Sequence, residues 1–68
     1  MPIVDVKVWK GISQNNIEKI ISGITQVFVD IGIPKRAIEV IIQEIPKKNW
    51  GINGKPATES LTDENPPK

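Results

Sequence analysis

The chain has 68 residues, and its 9 basic and 8 acidic side chains give a formal net charge of +1. This balance provides no electrostatic argument for binding nucleic acid or an anionic membrane. The chain contains no Cys and no His, which removes disulfides and most zinc chemistry. A domain this small is therefore expected to be stabilised by assembly with further copies.

The sequence predicts a cytoplasmic protein. No apolar run approaches the roughly 20 residues that a membrane-spanning helix needs. The N-terminus also lacks the charged-then-apolar pattern of a signal peptide.

The chain opens with Met1-Pro2, so that removal of the methionine would leave a proline as the N-terminal residue. An α-amino group has a reference pKa of roughly 7.7–8.0, and burial in an apolar pocket lowers the pKa of such a group. A base whose pKa lies near the working pH is suited to taking up and returning a proton. Pro2 is therefore a candidate general base, although Met-Pro also begins many chains without a chemical role.

The first elements are a strand and a helix. Val4, Val6 and Val8 alternate with polar residues, which is typical of a half-buried strand. Ser13 stands at the N-cap position of a helix, and Gly32 with Pro34 predicts the end of that helix. Over about 18 residues, apolar side chains recur at spacings of three and four and predict one continuous stripe: Ile17, Ile20, Ile21, Ile24, Val27, Phe28 and Ile31.

Residues 38–45 form a second β-rich run that is apolar on both faces. A strand, a helix and a second strand joined by short links predict a right-handed βαβ unit with parallel strands. One helix covers only one face of such a sheet, so the other face would expose Ile3, Trp9, Ile41 and Ile45. We therefore expect a homo-oligomer in which another copy covers this face.

The C-terminal part is predicted to contain a β-hairpin. Pro46 ends the second strand because proline cannot donate to a ladder, and Asn53-Gly54 is a strong signal for a two-residue turn. Trp50 lies just before this turn, where it is either an oligomer contact or a pocket wall. Residues 61–68 are polar and proline-rich, which predicts a flexible tail after an α+β domain that spans residues 1–60.

Few groups could carry chemistry. Without His or Cys, catalytic triads and most metal-ligand sets are impossible, and the glycines do not form a phosphate-binding loop. Any chemistry must come from Pro2, the lysines, Arg36 or a carboxylate.

Met-Pro-Ile, the βαβ pattern, the run VIIQEI at 40–45 and the hairpin NWGINGK at 49–55 together resemble the 4-oxalocrotonate tautomerase family. The resemblance runs from Pro2 to about Ser60. It implies a tautomerase (MIF-like) fold, a single βαβ unit with a C-terminal hairpin, assembled as a homohexamer that is a trimer of dimers. It also implies a keto-enol tautomerase, an isomerase acting on a small 2-hydroxydienoate or enolpyruvate-type substrate.

The resemblance assigns a role to several side chains. Pro2 would take a proton from the substrate and return it elsewhere on the conjugated system. Trp50 falls where the family has a pocket aromatic that keeps the site dry, and Ile52 and Trp9 fall at further apolar wall positions. No cofactor and no metal are implied, because the conjugated carbonyl itself delocalises the charge.

The chain departs from the family at its two substrate-binding arginines, which align with Ile12 and Glu39. An apolar Ile12 cannot bind a carboxylate, whereas Glu39 beside Pro2 would repel one and would favour the ammonium form of the amine, raising its pKa. Arg36 is the only arginine. The cations that could partly replace the family arginines, each of which is otherwise a solvated surface residue, are Arg36, Lys10, Lys47 and Lys48.

Two functions remain open. The first is a proline-based tautomerase with altered substrate preference, which favours a monoacid or a less charged enol. The second is a hexameric tautomerase-fold protein with a structural or binding role and little or no catalysis. A partner-binding helix module is a third interpretation. Retention of Met1 would block the base and would argue against the first function.

Overall fold

A computed structural model describes residues 1–60 of the chain, and the predicted tail at residues 61–68 lies outside the described residues. The predicted βαβ unit with a C-terminal hairpin is confirmed. The elements, in chain order, are β1 (Ile3–Trp9), α1 (Gln14–Asp30), a 3₁₀ turn (Lys35–Ala37), β2 (Glu39–Ile45), a second 3₁₀ turn (Lys47–Asn49), β3 (Gly51–Ile52), β4 (Lys55–Pro56) and α2 (Ala57–Ser60).

The main sheet consists of β1 and β2, which pair in parallel with Ile3 opposite Glu39 and Trp9 opposite Ile45. Along β1 the valines are half-buried, whereas Asp5 and Lys7 are exposed. This alternation indicates that α1 covers the valine face, as the polarity of the sequence predicts. The Pro46 stop is also confirmed, because β2 ends at the residue before it.

Both ends of α1 are capped as the sequence predicts. At the N-terminus, the hydroxyl of Ser13 accepts a hydrogen bond from the backbone N–H of Asn16 at 3.1 Å. At the C-terminus, Gly32 adopts φ +99°, and the N–H of Ile33 donates to the carbonyl of Phe28 at 3.1 Å. This pattern is a Schellman motif, in which glycine avoids the steric cost that a Cβ would bring at positive φ.

The core within one chain is small. Among the described residues, only Ile17 (8% exposed) and Ala57 (0% exposed) are buried. The apolar stripe of α1 is half-buried over most of its length, but Val27 is 62% and Ile31 is 71% exposed. The sequence places both on the stripe, yet Val27 lies at the edge of the stripe and Ile31 is the C-cap, where the helix has ended.

The open face of the sheet is only partly as predicted. Ile3 is 63% and Ile41 is 45% exposed, which leaves apolar surface facing away from α1. Trp9 and Ile45 lie on the same face at the far end of the sheet, but both are half-buried. Trp9 differs from the prediction because the segment after β2 folds back against its ring.

The C-terminal hairpin has the predicted turn. β3 and β4 pair antiparallel, with Ile52 opposite Lys55. Asn53 and Gly54 have φ values of +58° and +81°, which are the two positive φ angles that a type I′ turn requires.

The short helix α2 is not predicted from the sequence. Its first N–H, on Ala57, donates to the carbonyl of Trp50 at 2.7 Å. The Ser60 hydroxyl donates to the carbonyl of Ile52 at 2.9 Å. These two hydrogen bonds hold α2 against the hairpin. None of the helices in residues 1–60 is long and apolar enough to cross a membrane.

Candidate functional site

Pro2 lies at the edge of the sheet where both strands begin. It is half-buried, and its carbonyl accepts a hydrogen bond from the N–H of Glu39 at 3.1 Å. Met1, which precedes it, is 87% exposed. Because β1 and β2 run parallel, Glu39 and the preceding 3₁₀ turn with Arg36 come to the same end of the molecule as Pro2.

The side chains of Glu39 and Pro2 lie on opposite faces of the sheet. Pro2 is in phase with Val4 and so belongs to the helix-covered side of the sheet, whereas Glu39 is in phase with Ile41 on the open face. Both Glu39 and Arg36 are exposed. The backbone therefore brings Glu39 next to Pro2, while strand alternation directs its carboxylate to the opposite face.

A groove of about 350 Å³ lies between α1 and the first 3₁₀ turn, at the same end as Pro2. Two of its polar side chains are engaged locally: the Thr25 hydroxyl donates to the Ile21 carbonyl at 2.7 Å, and the Gln26 amide donates to Asp30 at 2.7 Å. None of the site residues predicted from the sequence lines it. Its lining residues are Ile21, Ser22, Thr25, Gln26, Lys35 and Ile38.

The opposite end of the sheet carries a group that we call the tryptophan cluster, consisting of Trp9, Lys47 and Trp50. The rings of Trp9 and Trp50 meet edge to face, with centroids 5.9 Å apart and planes at 75°. The Lys47 ammonium lies 5.0 Å from the centroid of the Trp9 ring. Edge-to-face pairs and cations over indole faces are both favourable contacts.

The chain builds the tryptophan cluster where β1 and β2 both end. Trp9 pairs with Ile45, the last residue of that strand, and the N–H of Lys10 donates to the Ile45 carbonyl at 2.9 Å. Pro46 then starts a 3₁₀ turn, which is closed by the N–H of Asn49 donating to the Pro46 carbonyl at 2.9 Å. This turn returns the chain over the indole of Trp9.

The indole N–H of Trp9 is buried and has no hydrogen-bond partner among the described residues. A buried donor left without an acceptor costs about 1–3 kcal/mol. The tryptophan cluster therefore keeps one buried donor without an acceptor in the described part of the chain.

The other two apolar residues of the predicted site, Ile12 at an arginine position of the family and Ile52 at a wall position, also lie at this end of the sheet. Ile12 is half-buried in the connection that follows β1, and Ile52 is half-buried in β3, two residues after Trp50. In residues 1–60, no group of three Asp or Glu side chains converges to hold a metal ion.

The candidate residues thus form two groups within one chain. Pro2, Arg36 and Glu39 lie where the strands begin, and Trp9, Ile12, Trp50 and Ile52 lie where β1 ends. The seven residues of β1 separate the groups, which corresponds to about 20 Å at the usual rise of a strand. One copy of the chain does not bring its own Pro2 to its own tryptophan pair.

Sequence reasoning named Lys47 as a possible replacement for the family arginines, but it did not distinguish Lys47 from Arg36, Lys10 and Lys48. Lys47 is half-buried, whereas the other basic side chains within residues 1–60 are exposed. A weak signal is present, because Lys47 follows Pro46 directly after β2 and that strand ends beside Trp9.

Comparisons of the whole chain with known proteins match one family. The family model described as "Tautomerase enzyme" matches residues 2–60. A probable tautomerase from Dickeya dadantii is 38% identical over 61 residues, which cover 87% of this chain and 91% of that protein. A 2-hydroxymuconate tautomerase from Comamonas testosteroni is 33% identical over 60 residues, covering 87% of this chain and 95% of that enzyme.

Solved structures of 4-oxalocrotonate tautomerases and their homologues superpose on this chain. A chain from the 4-oxalocrotonate tautomerase isozymes of Methylibium petroleiphilum superposes with a TM-score of 0.79 at 31% identity, covering 84% of this chain and 94% of that one. The 4-oxalocrotonate tautomerase homologue of the tomaymycin biosynthetic pathway superposes with a TM-score of 0.85 at 24% identity, covering 91% and 97%, which supports the fold alone.

Proposed function

The chain belongs to the tautomerase family, and from that premise we propose that it is a keto-enol tautomerase in which the mature N-terminal Pro2 is the general base. The observation that carries the proposal is the position of Pro2. The family match begins at this residue, which is half-buried at the start of β1 and follows a single exposed residue. Removal of Met1 would therefore expose an amine held in place by the sheet.

The reaction needs only a proton transfer. The secondary amine of Pro2 takes a proton from the enol hydroxyl, or from the carbon next to a carbonyl, and returns it to another atom of the conjugated system. No atom is gained or lost and no electron acceptor is required. An α-amino group with a pKa of roughly 7.7–8.0 lies close to the range in which a general base is most effective.

We further propose that the working site forms between copies in a homohexamer. Pro2 and the tryptophan pair of one chain are about 20 Å apart. An aromatic wall near the Pro2 amine must therefore come from another copy. The exposed Ile3 and Ile41 on the open face of the sheet provide apolar surface for such an assembly. The small core of the single chain supports the same proposal.

The expected substrate carries less charge than a dicarboxylate. Ile12 and Glu39 stand at the positions that the family fills with arginines, so the two forks that would hold both carboxylates are missing. A 2-hydroxydienoate or an enolpyruvate with one carboxylate fits these residues better.

Replacement of Pro2 tests the proposal. We expect Pro2→Ala to lower kcat/KM for ketonisation of phenylenolpyruvate by about 10²–10⁴-fold, the usual contribution of a general base. Pro34→Ala, which changes an exposed proline in the loop after α1, is the matched control and should retain activity. Mass spectrometry of the protein should show that Met1 is absent.

Two results would contradict the proposal: full activity of the Pro2→Ala variant, or full activity of protein that retains Met1. A trimmed protein that assembles but ketonises neither phenylenolpyruvate nor 2-hydroxymuconate would instead favour the structural or binding role. The observation behind that second candidate is the loss of both arginine positions, to Ile12 and Glu39.

A further inference from the structure

We propose that Lys47 is the residue that binds the substrate carboxylate, and that the tryptophan cluster selects an enol with one carboxylate next to a flat apolar group. This inference rests on the proposed function, because it concerns the same assembled site.

The first argument is the unusual position of the Lys47 side chain. Every other basic side chain in residues 1–60 is exposed, whereas Lys47 is half-buried. Its ammonium lies 5.0 Å from the centre of the Trp9 ring. A lysine held over an indole has already lost part of its rotational freedom and part of its hydration, so less free energy is lost when it binds an anion.

The second argument is the hydrogen-bonding capacity of the tryptophan cluster. The face of the Trp9 ring attracts the positive charge of the ammonium, but the indole has no lone pair that could accept a hydrogen bond from it. The three N–H groups of Lys47 therefore remain able to donate to a ligand. The indole N–H of Trp9 also has no acceptor in the described part of the chain, but it is buried, so the donors open to a ligand are those of the half-buried Lys47. An ionised carboxylate is a group that only accepts hydrogen bonds, and it can supply the acceptor that these N–H groups lack within the cluster.

The third argument concerns the shape of the ligand. The ammonium lies over the Trp9 ring, and Trp9 itself meets Trp50 edge to face, so the charge stands on one member of an aromatic pair. Lysine binds a carboxylate as a point charge and not as a two-pronged fork. One such charge beside aromatic surface suits a monocarboxylate with a planar apolar substituent, and it does not replace two arginines on a dicarboxylate.

The test compares an acid with its neutral ester. Lys47→Met keeps an unbranched stem over Trp9 and removes the charge, and Lys48→Met changes the exposed neighbour in the same 3₁₀ turn. For phenylenolpyruvate we expect Lys47→Met to raise KM about tenfold or more, the loss expected for a hydrogen bond to a charged group, with a smaller change in kcat. The methyl ester should show no such rise, Lys48→Met should behave as the wild type, and Lys47→Arg should restore most of the affinity.

A binding measurement makes the test independent of turnover. The chain has 2 tryptophans, so two indole N–H signals can be followed by NMR while trans-cinnamate, a flat monocarboxylate that cannot tautomerise, is added. We expect both signals to shift in the wild type and in Lys48→Met, with at least tenfold weaker binding in Lys47→Met.

The outcomes separate this inference from the proposed function. Equal KM and equal cinnamate affinity in Lys47→Met and Lys48→Met would overturn the role of Lys47, even if Pro2→Ala is inactive and the proposed function stands. An inactive wild type that still binds cinnamate through Lys47 would overturn the proposed function and would keep Lys47 as the carboxylate-binding residue.

Discussion

At the residue scale, Glu39 places a negative charge on the open face of the sheet, where a substrate-binding arginine is expected from the family resemblance. Glu39 is exposed at the start of β2, and two like charges about 4 Å apart in water repel by about 1 kcal/mol. We expect Glu39→Gln to raise kcat/KM for phenylenolpyruvate by up to about fivefold and to leave the methyl ester unchanged. Glu18→Gln, at an exposed position of α1, is the control. A lower rate with the acid would show that Glu39 assists the reaction.

Individual residues also show how far the sequence could lead. Pro2 and Trp50 are predicted because the chain start and the hairpin each form a local pattern. Lys47 is named only as one of four candidate cations, because its contact with Trp9 requires residues far apart in the chain to meet. That meeting depends on the pairing of Trp9 with Ile45 and on the turn that follows Pro46, and no local pattern encodes either.

At the scale of single elements, replacement by alanine should change the free energy of unfolding in opposite directions at Gly23, inside α1, and at Gly32, just after its C-terminal end. A Cβ added at Gly23 or Gly32 would meet no atom within 4 Å, so only the backbone decides the outcome. Gly23 lies inside α1, where alanine is expected to raise the free energy of unfolding by about 0.5–1 kcal/mol. Gly32 has φ +99°, where alanine should lower it by about 1–2 kcal/mol.

Urea denaturation at one fixed protein concentration measures both glycine changes, since assembly makes stability depend on concentration. The opposite signs are the decisive feature. Destabilisation by Gly23→Ala would indicate that another copy packs closely against this part of α1, which would require the surface of α1 to be covered in the assembly.

The elements that follow local rules could be predicted, and those that depend on distant contacts could not. Ser13, Gly32 and the Asn53-Gly54 turn act through hydrogen bonds or φ angles within a few residues. The helix α2 forms against the hairpin, through the bonds from Ala57 to the Trp50 carbonyl and from Ser60 to the Ile52 carbonyl. Its four residues are too few to form a helix without such support.

At the scale of the whole molecule, the open face of the sheet should control assembly. Ile41 is 45% exposed on this face, and an aspartate there would have to lose its hydration if another copy covered it. We expect Ile41→Asp to sediment as a smaller species than the wild type. Lys19→Asp, on an exposed position of α1, should leave the sedimentation unchanged. An unchanged profile for Ile41→Asp would show that assembly does not use this face.

The separation of Pro2 from the tryptophan pair along β1 has a genetic consequence. In the proposed assembly each copy contributes its beginning to one site and the end of its first strand to another. A defective copy would then impair two sites, so its allele would be partly dominant over a normal one. Two different null alleles, one without the base and one without the aromatic wall, would restore some activity when expressed together in one cell.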